Sequence, residues 1–316
     1  MRKPKILISL TTLDNDYQIE QAADAHDAAL RLGVELQFVY ADNDPIAQSQ
    51  QLLKIIQSSS ESRFDAIIVE PVGGAGLPRV ARAAAQAGIG WVVVNWDVAY
   101  LEELRREFSV PLFAVTSDHR EIGRIHGRQL AKLMPHRGSV LYVQGPSHSP
   151  PAQQRSSGLY ETKPEHIDLK VLRANWTSES AIRAINCWLR LSFFREIPLC
   201  GVLAQDDSMA LGSREALQGE YDAERWLRLP FIGCDGLWKT GQVWVRRGLL
   251  AATVIVPPNT SLALELVVKQ IRDGLSVPIR TLTTPQSYPP LETLSATRPD
   301  ALQRVQQTHK LSETSR

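Results

Sequence analysis

Val202-Leu203-Ala204-Gln205-Asp206-Asp207-Ser208-Met209-Ala210-Leu211-Gly212 passes from an apolar run through two adjacent acids into an amphipathic segment. Val202–Gln205 reads as a β-strand without polar alternation, and Ser208–Gln218 as a helix. A strand that is apolar on both faces must be covered on both sides, the habit of a parallel sheet flanked by helices. A helix start needs one short polar acceptor for its exposed N–H groups, so one of the two acids is surplus. Asp207 is read as the cap and Asp206 as the group aimed at a ligand.

The same strand-then-helix unit recurs to either side. In the first half the expected strands are Lys5–Leu10, Glu35–Tyr40, Asp65–Glu70, Trp91–Asn95 and Leu112–Thr116, with helices over Ile19–Leu32, Ala47–Gln57 and Leu77–Ala87. In the second half they are Ser139–Gln144, Leu169–Arg173, Cys200–Gln205, Pro230–Gly233 and Ala252–Val256. Helices are expected there over Ile122–Leu133, from Ala152, and over Ser178–Phe194, Met209–Gln218, Lys239–Val245 and Ser261–Arg272. The fold class is α/β, with two successive open parallel-sheet, Rossmann-like lobes. A length of 316 residues suits two such domains.

Open parallel sheets bind ligands beyond the carboxyl ends of their strands. The positions just after the strands are Asn15, Tyr17, Glu70, Asn95, Trp96 and Asp97, then Arg155, Trp176, Asp206 and Asp235. A tryptophan face packs on the C–H face of a sugar ring, while carboxylates and amides take its hydroxyls. The fork of Arg155 suits two vicinal hydroxyls or a carboxylate. Aspartate is common in turns for structural reasons alone, but Asp235 stands at a strand end. The remaining five tryptophans are assigned to packing.

Other function classes find little support. Lys plus Arg total 35 against 34 Asp plus Glu, so no basic excess attracts nucleic acid. Gly73-Gly74-Ala75-Gly76 lacks the spacing of a phosphate loop and reads as a turn. GxSxG and HExxH are absent, and His119, His126 and His148 lack metal-ligand spacing. Cys187, Cys200 and Cys234 are widely spaced and are expected to be free thiols. No catalytic residue, metal or cofactor is assigned, and the chain is read as a binding protein rather than an enzyme. Ile6–Leu10 is too short for the apolar core of a signal peptide, and no stretch approaches the roughly 20 apolar residues of a membrane span.

At these residues the sequence resembles the ribose/galactose-type periplasmic sugar-binding proteins, relatives of the lactose-repressor effector domain. The resemblance runs from about Lys5 to about Pro285. Residues 202–212 are similar to that family's FAxNDxMAxG, Ile232–Gly236 to VGFDG, Gly248–Val254 to GxLxATV, and Arg155–Gly158 to the RxxG that follows QG, here Gln144-Gly145. The resemblance implies a type I periplasmic-binding-protein-like fold with a three-crossing hinge near Thr116–Ser117, Val256–Pro257 and Thr284–Pro285. The lobes are then 1–116 with 257–284, and 117–256 with 285–300, with the final strand segments swapping lobes, while 301–316 form a flexible tail.

It further implies closure around a sugar held between the lobes, and delivery to the membrane permease of an ABC-type importer. A sensor kinase or a cytoplasmic regulator is the alternative partner, and a monomer is expected. The implied location is the periplasm, with the cytoplasm as the alternative because no signal peptide is read in this sequence. Several positions depart from the family: Glu70 stands where Asn is usual, Asn95 and Trp96 where an Asp-Arg or Asp-Asn pair is usual, and Asp206 where Asn is usual. These changes add acid, so an amino sugar or a polyol joins the simple sugars as an expected ligand.

Overall fold

The computed structural model describes residues 2–58, 63–74, 77–190, 197, 199–219 and 223–296. The expected tail at 301–316, the end of the helix expected to reach Phe194, and residues 75 and 76 of the glycine-rich stretch lie outside these. In sequence order the elements are β1 (Lys5–Leu10), α1 (Asp16–Leu32), β2 (Glu35–Tyr40), α2 (Pro45–Ile56), β3 (Ala66–Val69), α3 (Pro78–Gln86), β4 (Gly90–Val94), α4 (Tyr100–Glu107) and β5 (Leu112–Ser117). There follow α5 (His119–Leu133), β6 (Gly138–Gln144), α6 (Pro150–Thr162), β7 (Ile167–Arg173), α7 (Ser178–Leu189), β8 (Leu199–Ala204), α8 (Asp207–Gln218), α9 (Ala223–Leu227) and β9 (Phe231–Ile232). The last elements are α10 (Gly241–Arg246), β10 (Thr253–Ile255), α11 (Thr260–Asp273), β11 (Arg280–Thr283) and β12 (Gln286–Tyr288).

Two compact units form, one from the sequence up to Asp118 with Pro257–Thr284, the other from His119–Val256 with the sequence from Pro285 on. The first holds a six-stranded sheet in the order β11-β5-β4-β3-β1-β2, parallel throughout. Successive side chains of a strand point to opposite faces, and both faces here are apolar. Ile6, Ile8 and Leu10 join Ala25 and Ala28 of α1 and Leu264 and Val267 of α11. Leu7, Ile67, Val69 and Val93 join Leu52, Val80 and Leu104 from α2, α3 and α4.

α11 borrows its N-terminal cap from α1. Gln21 Oε1 accepts from the backbone N–H groups of Asn259 (2.7 Å) and Thr260 (3.2 Å), and Asp24 accepts from that of Ser261 (2.9 Å). These bonds satisfy donors that a helix start otherwise leaves open. Ser117, Thr283 and Asn259 hydrogen-bond in series at 3.0 and 3.1 Å. Each stands within three residues of a point where the backbone leaves or enters this unit.

The second unit carries the parallel sheet β7-β6-β8-β9. Isolated parallel bridges, Ile232 to Ala252 and Asp235 to Ile255, extend it toward β10, which pairs antiparallel with β12. Val140, Tyr142 and Leu203 face Leu130 and Leu159 of α5 and α6. Leu141, Val143 and Val202 face Ile185 and Met209 of α7 and α8.

Two short helices were not among the expected elements, and the final strand segments were expected without bounds. α4 carries only Leu101 and Leu104 inward from a charged octapeptide, and α9 is five residues long. β11 and β12 read RTLT and QSY, without an apolar run. α5 also starts earlier than Ile122, at His119.

α5 and α6 meet backbone to backbone. A Cβ on Gly158 would lie 1.8 Å from the Arg120 carbonyl oxygen, and one on Gly123 would lie 1.9 Å from that of Arg155. Overpacking so tight a contact costs about 1–3 kcal/mol. Gly158→Ala is therefore expected to lower the unfolding free energy by about that amount, read as a lower urea midpoint with an unchanged slope.

Candidate functional site

The first unit gathers Glu70, Asn95, Asn15 and Tyr17 around the carboxyl ends of β1, β3 and β4. Glu70 is buried and accepts from Gln18 Nε2 (2.9 Å) and from Asn95 Nδ2 (3.0 Å). Burial pushes its carboxyl above the ordinary range, and the Asn95, Gln18 and Gln21 hydrogen bonds oppose that push. Asn15 Oδ1 caps α1, accepting from Tyr17 N (2.9 Å) and Gln18 N (3.3 Å). The Tyr17 hydroxyl donates to the Pro257 carbonyl (3.3 Å). The other two expected residues stand apart from this group. Trp96 is buried in the apolar cluster with Trp91, Leu101 and Leu104. Asp97 is half exposed and pairs with Arg280 at 3.0 Å.

In the second unit Arg155, Trp176 and Asp235 come together. Arg155 reaches from α6 and is only 6% exposed. Its Nε donates to His119 Nδ1 (3.4 Å), its Nη1 to the Gln205 carbonyl, and its Nη2 lies 3.8 Å from Asp235 Oδ1. The guanidinium carbon sits 5.6 Å from the centre of the Trp176 ring, a cation–π distance. That ring rests on Gly145, where a Cβ would fall 2.2 Å from it.

Asn95, Trp176 and Asp235 all have positive φ, 62°, 62° and 98°. Such backbone is strained for any residue but glycine and persists only where its surroundings hold it. Asp235 is held on both sides by β10: its N–H donates to Val254 O (3.0 Å), and its carbonyl accepts from Val256 N (2.9 Å). The Asn95 N–H donates to Val115 O at 2.9 Å.

The cap of α8, expected at Asp207, is supplied by its neighbour instead. Asp206 is the cap, its Oδ1 accepting from Met209 N at 2.6 Å. Asp207 turns inward, accepting from the Thr253 hydroxyl (2.7 Å) and Gly236 N (2.8 Å). A cap needs extended backbone just ahead of the first helical turn, and Asp206 has it (φ −144°, ψ 167°). Burial pushes the Asp207 carboxyl up to about 8, against the lowering effect of its hydrogen bonds and of Arg155. His119, Gln205 and Asp207 were absent from the expected site. The alternation of strands and helices carries no mark of polar residues buried beneath the strand-end positions.

Asp207 makes stability depend on pH. The unfolded carboxyl ionises near its ordinary 3.8 and the folded one near 8. Between these values the folded state binds the extra proton, so stability falls as pH rises. An Asp207→Asn amide can donate to Thr253 and accept from Gly236, as the protonated acid does. Urea titrations from pH 4 to pH 8 should therefore show a decline in the parent protein that is flattened in Asp207→Asn. Equal slopes would show that Asp207 ionises normally in the fold.

Comparison with known proteins adds a lineage to this geometry. The chain is 30% identical over 235 residues to a xylitol-binding protein of Mycolicibacterium smegmatis, a match spanning 73% of this chain and 62% of that protein's length. It is 27% identical over 300 residues to a D-ribose/D-allose-binding protein of Pseudomonas aeruginosa, covering 90% of each. Its fold matches an ABC transporter periplasmic solute-binding protein from Actinobacillus succinogenes, solved with bound D-allose. That match has a TM-score of 0.78 at 22% identity, over 90% of this chain and 97% of the other. A family model described as the periplasmic binding protein domain matches residues 6–274, and the chain belongs to that family.

Proposed function

We propose that this protein is the solute receptor of an ABC-type importer and takes a sugar or polyol as its ligand. The observation that carries the reading is the Arg155–Asp235–Trp176 group: a buried guanidinium, a carboxylate and an aromatic face within one cluster. Arg155 and Asp235 supply donors and acceptors for hydroxyls, and Trp176 supplies an apolar face for the C–H groups of a cyclic or linear ligand. Asp206, at the start of α8, adds a second carboxylate. In the first unit Asn95 is the ligand-facing amide, and Glu70 orients it through the bond to its Nδ2.

The named relatives bind xylitol and D-ribose or D-allose, small neutral polyhydroxy compounds that suit such groups. The chemistry is capture and release, with no bond made or broken. The working compartment is the periplasm and the partner a membrane permease. No helix among the described residues is long and apolar enough to cross a membrane.

A thermal-shift screen of pentoses, hexoses, polyols and amino sugars tests the reading, because a ligand of the folded state raises its melting temperature. At least one compound is expected to raise it and to change tryptophan emission, with Trp176→Phe reducing that change. A screen in which none of these classes stabilises the protein sinks the proposal. For the compound found, Asp235→Ala is expected to weaken binding by about 2–5 kcal/mol, because a buried hydroxyl and Arg155 would both lose a partner. An unchanged dissociation constant in calorimetry would remove Asp235 from the site.

A further inference from the structure

We propose that Gln205 is a positioning residue, setting the geometry of Arg155 and Trp176 without touching the ligand. The proposal rests on those two side chains being the ligand groups argued above. Gln205 is the residue between the end of β8 and the cap of α8, and it is 0% exposed. Its side chain ties two elements, β6 and α6, to the end of β8. Oε1 accepts from Gly145 N (2.9 Å), just past the end of β6. Nε2 donates to Tyr142 Oη on β6 (2.6 Å), and to Ala152 O (2.9 Å) and Ser156 Oγ (3.1 Å) on α6. Its own carbonyl accepts from Arg155 Nη1.

Each of these bonds lies one step from the ligand groups. Gly145 is the floor on which the Trp176 ring rests. Ala152 and Ser156 are on the same helix as Arg155, and Ser156 is adjacent to it. The Gln205 carbonyl is one of the acceptors that fix the fork of Arg155. A buried guanidinium held by several acceptors has little rotamer freedom left to lose on binding, which is the condition for a preorganised site.

The chemistry of the position calls for an amide. One end must accept from the Gly145 N–H, and the other must donate to the Ala152 carbonyl. An apolar side chain leaves the buried Gly145 N–H unmatched. An ionised carboxylate would turn an oxygen on the Ala152 oxygen. A protonated carboxyl would again have an acceptor and a donor. Gln205→Glu is thus an amide mimic only while it keeps its proton, which burial extends above the ordinary carboxylate range. The groups facing position 205 that carry charge or titrate are Tyr142, pushed up to about 12 by burial, and Arg155, which keeps its proton. His119, Asp206 and Asp207 lie close by, and because burial pushes Asp207 up to about 8 the pH series is run in the Asp207→Asn background of both proteins as well, which removes that titration from the comparison.

The test uses Gln205→Met and Gln205→Glu, with Leu264→Ala as a control. Leu264 is fully buried on α11 of the first unit, in the cluster with Ile6, Ile8 and Phe113, whereas Trp176 packs on a cluster of the second unit. The first readout needs no ligand: Trp176 emission, taken as the difference between each protein and its Trp176→Phe counterpart. Gln205→Met should shift it and raise its quenching by acrylamide, while Leu264→Ala should not. The second readout is calorimetry with the sugar or polyol found by the screen. Gln205→Met should bind about tenfold or more weakly, and Leu264→Ala, at a comparable loss of melting temperature, within about twofold of the parent. For Gln205→Glu the dissociation constant relative to the parent should grow from pH 5 to pH 8. If Gln205→Met does not fold, the Gln205→Glu series decides alone, by whether its dissociation constant relative to the parent grows between pH 5 and pH 8. Unchanged Trp176 emission together with parental affinity at every pH overturns the proposal. If no sugar or polyol binds, the receptor reading fails separately, and the emission measurement still decides whether Gln205 sets the Trp176 environment.

Discussion

Each parallel sheet is buried on both faces, so polar groups that serve a ligand are confined to the strand ends. The central strands are covered throughout: Ile6 through Leu10 in the first unit and Val140 through Val143 in the second are essentially without exposure, while the edge strands β2 and β7 are partly exposed. Glu70, Asn95, Asp206 and Asp235 stand within three residues of the end of a strand, where the backbone turns and polar groups are able to face away from the cores. The site chemistry follows from the covering of the sheets.

The strand ends are also where backbone strain collects. Asn95, Trp176 and Asp235 adopt positive φ although none is a glycine. Neighbouring strands hold two of them: β5 receives the Asn95 N–H, and β10 brackets Asp235. A well-packed α/β unit can support such positions because its hydrogen-bonded ladders over-determine them. Beneath them lies a layer of buried polar groups. Glu70 with Gln18 serves Asn95, and Gln205 with Gly145 serves Trp176. Asp207 receives the Gly236 N–H directly beside Asp235.

Asp206 and Asp207 show how a local rule reaches its limit. The capping rule says that one acid is needed at the start of α8, and two are present. The choice between them depends on φ and ψ at a single position, set by how β8 enters the helix and by Thr253 and Gly236, which await the second acid. Those partners lie 46 and 29 residues away. Trp96 is a similar case. Its place after β4 matches that of a ligand aromatic, but the apolar cluster containing Leu101 and Leu104 buries it, and α4, which carries both, has too short and too charged a sequence to be read as a helix.

Period and composition along the sequence were enough for the class of fold, for most strands and helices, and for the strand-end positions that carry polar groups. These are properties of neighbouring residues: an unbroken apolar run must be covered on both faces wherever it lies. The meeting of Arg155 with Asp235 and Trp176, the partnership of Glu70 with Asn95, and the inward turn of Asp207 were open until the protein was folded. So were the bounds of β11 and β12, whose polar sequences become strands only because β5 and β10 offer them unpaired edges. Contacts between residues tens of positions apart depend on strand order and helix packing, and no local pattern encodes which ends will become neighbours.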